Sequence, residues 1–507
     1  MIMDNNNYEE NSQQQKYFNN KIMKSRRDGL SSHLTLINFM KGMIGSGILT
    51  LPIVFKQSGL WTGFLLVFIF GFLNTLTMKL LVKSAHYLAK KRHFNEKNIE
   101  GIQKEENTEI SENRENILKN KKYFNDNEPM NYGEVMEAAF EESNFNWSKK
   151  LAKPSKFFVN GTIILLQIGI GCIKYDFIVA HLRELFGHFT NFHTSALTWA
   201  FLIFPPMVLL NFTRTLQRIA ILNSIGNFFM FGAYGIIFYH LIQSPHKTIQ
   251  LPWIGSPVGV LTACGSILYC FEGQAMVLPM ENKMKHPSEM LGPFGVISTG
   301  MALTAIFDSA VGFLGYLKFG NEIQGSVTLN LPPTSLLTFV KIVKKKKKIL
   351  IFNLIIFYVF TIISFLDFLL QQYVTIQMLW PPISKRISSK LLSSSLMLRI
   401  WEYIFRASLV AITMLISIFV PHLEHIMPLV GFSGGVFLAF IFPPIIDTFT
   451  FLSMGLSEYF EENNNERNLS NIYKRLALNF FFVAIGLFGS IAGLKSSLEA
   501  IFELNKK

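Results

Sequence analysis

The feature that most limits what this chain can fold into is a recurrence of long apolar runs. Eleven stretches, 34–55, 60–83, 156–180, 196–212, 219–242, 257–281, 293–317, 349–373, 399–420, 426–451 and 476–497, are predominantly apolar. Each is close to the ~20 residues an α-helix needs to cross ~30 Å of hydrocarbon. A segment in lipid must satisfy its own backbone hydrogen bonds, so each run is expected to be a helix. The predicted fold class is an all-α integral membrane protein with about eleven transmembrane helices. Half of the 507 residues are hydrophobic, 16% are charged and the mean hydropathy is +0.31, which excludes an ordinary soluble enzyme. A porin-like barrel would show short, alternating strands instead.

The net charge of +13 suggests nucleic acid at first sight. Its placement argues otherwise, because the excess sits mostly between the apolar runs, as on the cytoplasmic side of a membrane protein. Placing the N-terminus in the cytoplasm puts most Lys and Arg there, largely through the long polar loop 84–155. Residues 1–32 read as a disordered cytoplasmic tail, 33–500 as the transmembrane domain and 501–507 as a short tail. The 84–155 loop is rich in Lys, Glu and Asn and reads as a mostly disordered cytoplasmic insertion. The run Lys344 to Lys348 would fall on the opposite side. Removing 344–357 joins Val343 to Tyr358 in one continuous span, so this stretch reads as an insertion of the kind a retained intron leaves; a genuine basic outer loop is the alternative. The sequons at Asn146, Asn160, Asn211 and Asn468 fall in the cytoplasm or in spans and are expected to carry no sugar. Cys172, Cys264 and Cys270 all lie in apolar runs, so neither a disulfide nor a metal site is expected.

Two spans carry interruptions that a purely structural helix would not need. Span one reads Lys41-Gly42-Met43-Ile44-Gly45-Ser46-Gly47-Ile48-Leu49-Thr50-Leu51-Pro52. Span six reads Tyr269-Cys270-Phe271-Glu272-Gly273-Gln274-Ala275-Met276-Val277-Leu278-Pro279. Each glycine costs a helix about 1 kcal/mol relative to alanine, and both runs end in Leu-Pro. If the first ten spans form a five-plus-five inverted repeat, spans one and six open the two halves. Gly/Pro-interrupted spans at matching positions are the best sequence pointer to a secondary-transporter binding site. An unwound stretch at mid-membrane leaves N–H and C=O groups unpaired, at a cost of several kcal/mol in hydrocarbon. A zwitterionic amino acid can satisfy both kinds of group. The expected substrate-binding residues are Met43, Ile44, Gly45, Ser46, Gly47, Phe271, Glu272 and Gly273. The plainer reading, that these glycines only let helices pack closely, accounts for one break but not for a matched pair.

These residues carry a resemblance. KGMIGSGILTLPIVFKQSGL (41–60) resembles the first span of the proton-coupled amino acid transporters, a branch of the amino acid/auxin permease superfamily. GSILYCFEGQAMVLPMENKMKHP (265–287) is similar to their sixth span and the loop after it, and VPHLEHIMPLVGFSGGVFLAFIFPPIID (420–447) to their tenth. FGNEIQGSVTLNLP (319–332) is a weaker match after span seven. The resemblance implies eleven spans, an inverted-repeat transporter fold, a cytoplasmic N-terminus and uptake of small neutral amino acids with protons. In that family a histidine three residues before the lysine of the Lys-Gly pair is associated with proton coupling. Asn38 stands there in this chain, and an amide does not titrate. The family's paired outer-loop cysteines are also absent.

Ionisable residues inside spans are costly and so are functional candidates. Asn38, Glu272, Asp308 and Asp367 are the candidates for coupling or gating. Glu272 is expected to bond to the span-one break or to take a proton. Lys174 and Asp176 are expected to pair with other spans, since residues i,i+2 on a helix do not face each other. Lys41 is expected to snorkel or cap carbonyls, and His33 to sit at the membrane edge. Glu402 and Arg406 read as an i,i+4 ion pair. The many phenylalanines read mostly as lipid-facing bulk, with Phe271 at the break as the exception, a gate over substrate.

The functional expectation is secondary active transport of small neutral amino acids by alternating access. Protons are the expected driving ion and sodium ranks behind them. No GxxxxGK[ST] occurs, so ATP drive is not expected. No catalytic triad or metal-ligand set is present, so the chain is expected to be no enzyme and to use no cofactor. Its partners are the amino acid, the ion and the lipid bilayer, without nucleic acid. It is expected in the plasma membrane or an endolysosomal membrane. The alternatives are an amino-acid sensor or scaffold on an organelle membrane, or an uncoupled facilitator.

Overall fold

The computed structural model describes residues 29–105, 130–190, 195–213, 216–243, 251–330, 348–391, 395–420, 422–461 and 466–506. The residues named above in 1–28, 106–129 and 344–347 lie outside these. Side-chain caps start several helices. The Ser31 hydroxyl accepts from the Leu34 amide at the head of α1 (Ser32–Met43), and Ser195 and Ser256 do the same for α6 (Ala196–Asn211) and α8 (Pro257–Cys270). Asn131 and Glu134 form a reciprocal capping box on α4 (Tyr132–Glu141).

Span one is α1, a 3₁₀ turn at Ser46–Thr50, and α2 (Leu51–Ser58), bent by 45°. The chain continues through α3 (Leu60–Glu105), α5 (Asn146–Thr190) and α7 (Leu216–Ile242). Span six is α8 followed by α9 (Gln274–Glu281), and span seven is α10 (Val296–Phe319). Then come α11 (Lys348–Leu391), α12 (Ser395–Phe419) and α13 (Leu423–Val430). Two π-wound stretches, Gly431–Gly435 and Phe437–Ile441, lead into α14 (Phe442–Glu461), and α15 (Glu466–Lys506) is the last helix. Among the described residues, eight helices are long and apolar enough to cross a membrane and the bent pair α1–α2 makes a ninth. Ala196–Asn211 and Phe229–Ile242 are apolar but shorter. The protein is a helical, multi-pass membrane protein.

Two sequence expectations need correction. The 84–155 loop is not mostly disordered where it is described: α3 runs on to Glu105, α5 begins at Asn146, and α4 lies between them. The Lys, Glu and Ala residues there are good helix formers, and they let the helices propagate past the apolar runs. Charge then docks the ends together. Lys91 pairs with Glu142 (2.8 Å), Lys156 with Glu137 (2.7 Å), and His86 with Glu281 (3.0 Å). Residues 348–357 of the expected insertion are the first turns of α11, in line with the span expected over 349–373. Second, phenylalanine also builds the core. Phe39, Phe55, Phe177, Phe271, Phe360, Phe368, Phe432, Phe440 and Phe442 are among the largest fully buried side chains, while Phe480, Phe481 and Phe488 do face outward.

Burial sorts the spans into centre and edge. Of the most apolar window in Leu423–Leu452, 78% is buried inside the protein, against 28% for Ser470–Glu503. The tenth span is therefore central, and α15 lies along the lipid-facing side. The two are fastened by a bidentate bond from Arg475 to the fully buried Asp447 (2.7 and 2.5 Å), with Asn479 as a third donor (2.8 Å).

Close helix contact rests on a few glycines. A Cβ on Gly431 would stand 2.0 Å from the Gly265 carbonyl oxygen, so the tenth span packs backbone-to-backbone on α8. Main chain cannot move aside as a flexible side-chain tip can. Gly431→Ala is expected to cost at least about 3 kcal/mol, the upper end for overpacking. A thermal-shift assay in detergent should show the loss; an unchanged melting temperature would mean that the two spans separate more easily than this packing allows.

Candidate functional site

The two interrupted spans lie side by side and are tied at both ends by main chain. At one end Leu30 N–H donates to Lys283 O and Lys285 N–H to Leu30 O, both 2.8 Å. At the other, Gly255 N–H donates to Ser58 O (2.7 Å) and Leu60 N–H to Pro252 O (3.0 Å). A positive φ of 86° at Gly59 makes the turn between α2 and α3, where a Cβ would strike the Gly255 amide.

Between these ties, the breaks meet. In span one Ile44 leaves the helix (ψ 82°) and Gly45 is extended (φ −123°, ψ −165°) before the 3₁₀ turn. In span six the chain passes through Phe271, Glu272 and Gly273 in two tight bonded turns, Glu272 N–H to Tyr269 O (3.2 Å) and Gly273 N–H to Phe271 O (2.8 Å). Small residues bring the two together. A Cβ on Gly47 would touch the Tyr269 ring at 2.9 Å, one on Gly42 the Met276 methyl at 2.5 Å, and one on Gly273 the Met78 and Met43 side chains. The Cys270 thiol points at the Gly47 carbonyl (3.8 Å), which the Thr50 hydroxyl also reaches (2.5 Å). Thus Met43, Gly47, Cys270 and Gly273 share one junction.

Gly45 is different. A side chain built there would meet nothing within 4 Å, so open space adjoins the unwound backbone. Its carbonyl is held from the far side by the Tyr234 hydroxyl of α7 (2.8 Å). The span-one break thus presents a small, extended, partly exposed main-chain segment with open space beside the Gly45 Cβ position.

Charge surrounds this junction. Lys174 of α5 pairs with Asp367 of α11 (3.5 Å), as expected for a span-to-span salt bridge. Lys174 also acts electrostatically on Glu272, and Asp367 on Lys41, so ionisable groups of spans one, three, six and eight interact around the junction. Glu272 makes no side-chain hydrogen bond among the described residues, so the expected bond to the span-one break is not formed. Asp176 likewise has no partner among them, contrary to expectation, whereas Lys174 does. Asp308, in α10, is 1% exposed and neither of its carboxylate oxygens has a hydrogen-bond partner. Asn38 is half-buried in α1, before the break, and His33 is exposed at its start.

Phe271 is buried, with its ring tip 3.3 Å from where a Cβ on Gly71 of α3 would stand. In this arrangement its ring packs between α8 and α3. Glu402 and Arg406 do pair, at 3.0 Å; Arg406 also donates to Asn211 O (2.9 Å), and the buried Asn211 amide donates back to Arg406 O (3.2 Å).

Sequence reading missed two groups. Tyr234 gave no local signal, being one aromatic in an apolar helix. The second is a polar knot below the span-six break, where the Gln274 amide donates to Thr77 (3.0 Å) and Asn74 (3.3 Å) of α3. Its signal was available, because Asn74 and Thr77 are spaced i,i+3 on one face of an apolar span.

Fold and site together define a multi-pass membrane transporter built around a pair of interrupted helices. The family described as transmembrane amino acid transporter protein matches residues 29–101 and 115–497, and the chain belongs to that family. It is 28% identical over 483 residues to a probable amino acid transporter, skat-1, of Caenorhabditis elegans, covering 94% of this chain and 91% of that protein. It is 26% identical over 431 residues to the proton-coupled amino acid transporter-like protein pathetic of Drosophila melanogaster, covering 84% of this chain and 78% of that protein. The family is one of transporters, and the chain is not an enzyme.

Proposed function

We propose that this protein is a secondary active transporter that carries small neutral amino acids with protons by alternating access. The observation that carries the reading is the junction of the two breaks, with free space beside Gly45. An extended backbone there offers amide groups to a substrate carboxylate, and the flanking glycines let the ligand approach the main chain. The pathetic protein's name supports protons as the driving ion. The substrate-contacting set is Met43, Ile44, Gly45, Ser46, Gly47, Glu272 and Gly273, with Phe271 as a packing support. Eleven spans, a five-plus-five inverted repeat and a cytoplasmic N-terminus belong to the same proposal. The ties join the start of span one to the end of span six and the end of span one to the start of span six, so the two spans run antiparallel, which supports the repeat.

Gly42, Gly47 and Gly273 keep the junction of the two breaks tight, which favours a small side chain. Purified protein in liposomes is therefore expected to accumulate glycine, alanine or proline when an inward proton gradient is imposed, with sodium making no difference. Saturable binding without uptake under any gradient would favour the sensor reading, which Asn38 at the family's histidine position keeps in view. Downhill flux alone would favour a facilitator.

A further inference from the structure

Asp308 lies twelve residues into α10, about 18 Å along its axis. That is near mid-bilayer for a helix that spans ~30 Å. Both of its oxygens are buried and without a hydrogen-bond partner among the described residues, and so is the Thr304 hydroxyl one turn earlier. An ionised carboxylate left bare in such surroundings is prohibitively costly. The carboxyl must be neutral in this state.

Two titratable groups act on Asp308 from neighbouring helices, the Tyr234 phenol of α7 and the Cys270 thiol of α8. Both touch the span-one break, Tyr234 through Gly45 O and Cys270 through Gly47 O. The other ionisable side chains on elements packed against α10 are engaged elsewhere. Lys41 faces Asp367, Lys56 bonds Asn321 O (3.0 Å), and Lys79 faces Lys83. His86 pairs with Glu281, the Glu289 carboxylate bonds Ser32 at the start of α1, and Glu322 lies beyond the other end of α10. His33 is exposed at the start of α1.

We propose that Asp308 is the coupling-proton carrier of this transporter, in place of the position occupied by Asn38. The inference rests on the transport reading above. The carboxylate gains an O–H bond to a proton from water on one side of the membrane; that bond breaks on the other side and the proton returns to water. The charge of Asp308 is felt by the Tyr234 phenol that holds the Gly45 carbonyl, so loading and unloading Asp308 bear on the span-one break. A hard metal cation would need a shell of oxygens around the carboxylate. A proton needs a single bond, which fits oxygens that meet no polar atom.

The test uses full-length protein in liposomes containing a pH-sensitive dye, with wild type, Asp308→Asn and Asp308→Glu compared. For wild type, substrate entry should be accompanied by proton entry. Asp308→Asn mimics the loaded state, so substrate-driven proton entry and uphill accumulation should fall to background, while exchange of labelled for unlabelled substrate continues and becomes independent of pH. Asp308→Glu should restore coupling. Undiminished proton entry in Asp308→Asn would overturn the assignment. So would loss of exchange in both variants when both are monodisperse, because that places Asp308 in folding or substrate binding. Sodium-driven uptake that Asp308→Asn abolishes, with no proton movement in wild type, would also overturn it. A wild type with no uphill transport under any gradient defeats the transport reading itself and is recognised without the variants.

Discussion

Gly45→Leu is expected to yield a folded protein that no longer transports. The backbone at Gly45 has φ −123° and ψ −165°, an extended conformation open to any residue, and the position of a Cβ there is free of neighbours within 4 Å. The substitution therefore carries no backbone strain and its Cβ meets no neighbour, unlike Gly47, where a Cβ would meet the Tyr269 ring. What leucine does is fill the space that the proposed substrate needs. Uptake should drop by at least about tenfold, equal to about 1.4 kcal/mol of lost binding. The melting temperature in detergent should stay near that of wild type. Gly45→Ala, which fills less of the space, should fall between the two. Wild-type uptake by a well-folded Gly45→Leu protein would remove the space beside Gly45 from the transport path.

The second large effect concerns the buried ion pair. Lys174 and Asp367 are 3.5 Å apart, with side chains 11% and 18% exposed, and they join the third span to the eighth. Lys174→Ala leaves Asp367 charged and unpaired in a membrane interior, with Lys41 as the remaining compensating charge. Breaking one partner of a buried pair typically costs about 3–5 kcal/mol. The single variants Lys174→Ala and Asp367→Ala are therefore expected to lose most folded protein or most uptake. Replacing both residues with leucine should recover stability, because two apolar groups need no partner. Transport is not expected to recover with it, since Glu272 at the span-six break would lose the cation that faces it. The check is a four-member cycle measured for both thermal stability and uptake. If the double variant transports like wild type, the pair only holds two helices together and has no part in the cycle of conformations.

How much of this was legible beforehand follows from particular residues. Each of the eleven apolar runs falls on helix, and both breaks lie where Gly42–Gly47 and Phe271–Gly273 put them. Helix formation in lipid is a local matter, since each span must satisfy its own N–H and C=O groups, and glycine and proline interrupt that pattern within a turn or two. The helical flanks of the 84–155 loop were misread because polarity was taken for disorder, whereas Lys, Glu and Ala extend a helix readily once an apolar span has nucleated it.

Partnership between spans was a different problem. The sequence marked Lys174, Glu272, Asp308 and Asp367 as costly residues, but not that Lys174 would meet Asp367, that Glu272 and Asp308 would have no hydrogen-bond partner, or that Tyr234 would hold the Gly45 carbonyl. In water a polar face and an apolar face tell which side of a helix turns inward. A span that is apolar on every side carries no such stripe, and small residues and polar groups at helix interfaces set its rotation and depth. The sequence by itself determined which segments form apolar helices and where two of them break. Only the tertiary structure decided which atoms those breaks bring together, because side-chain pairing depends on how each helix is turned against its neighbours.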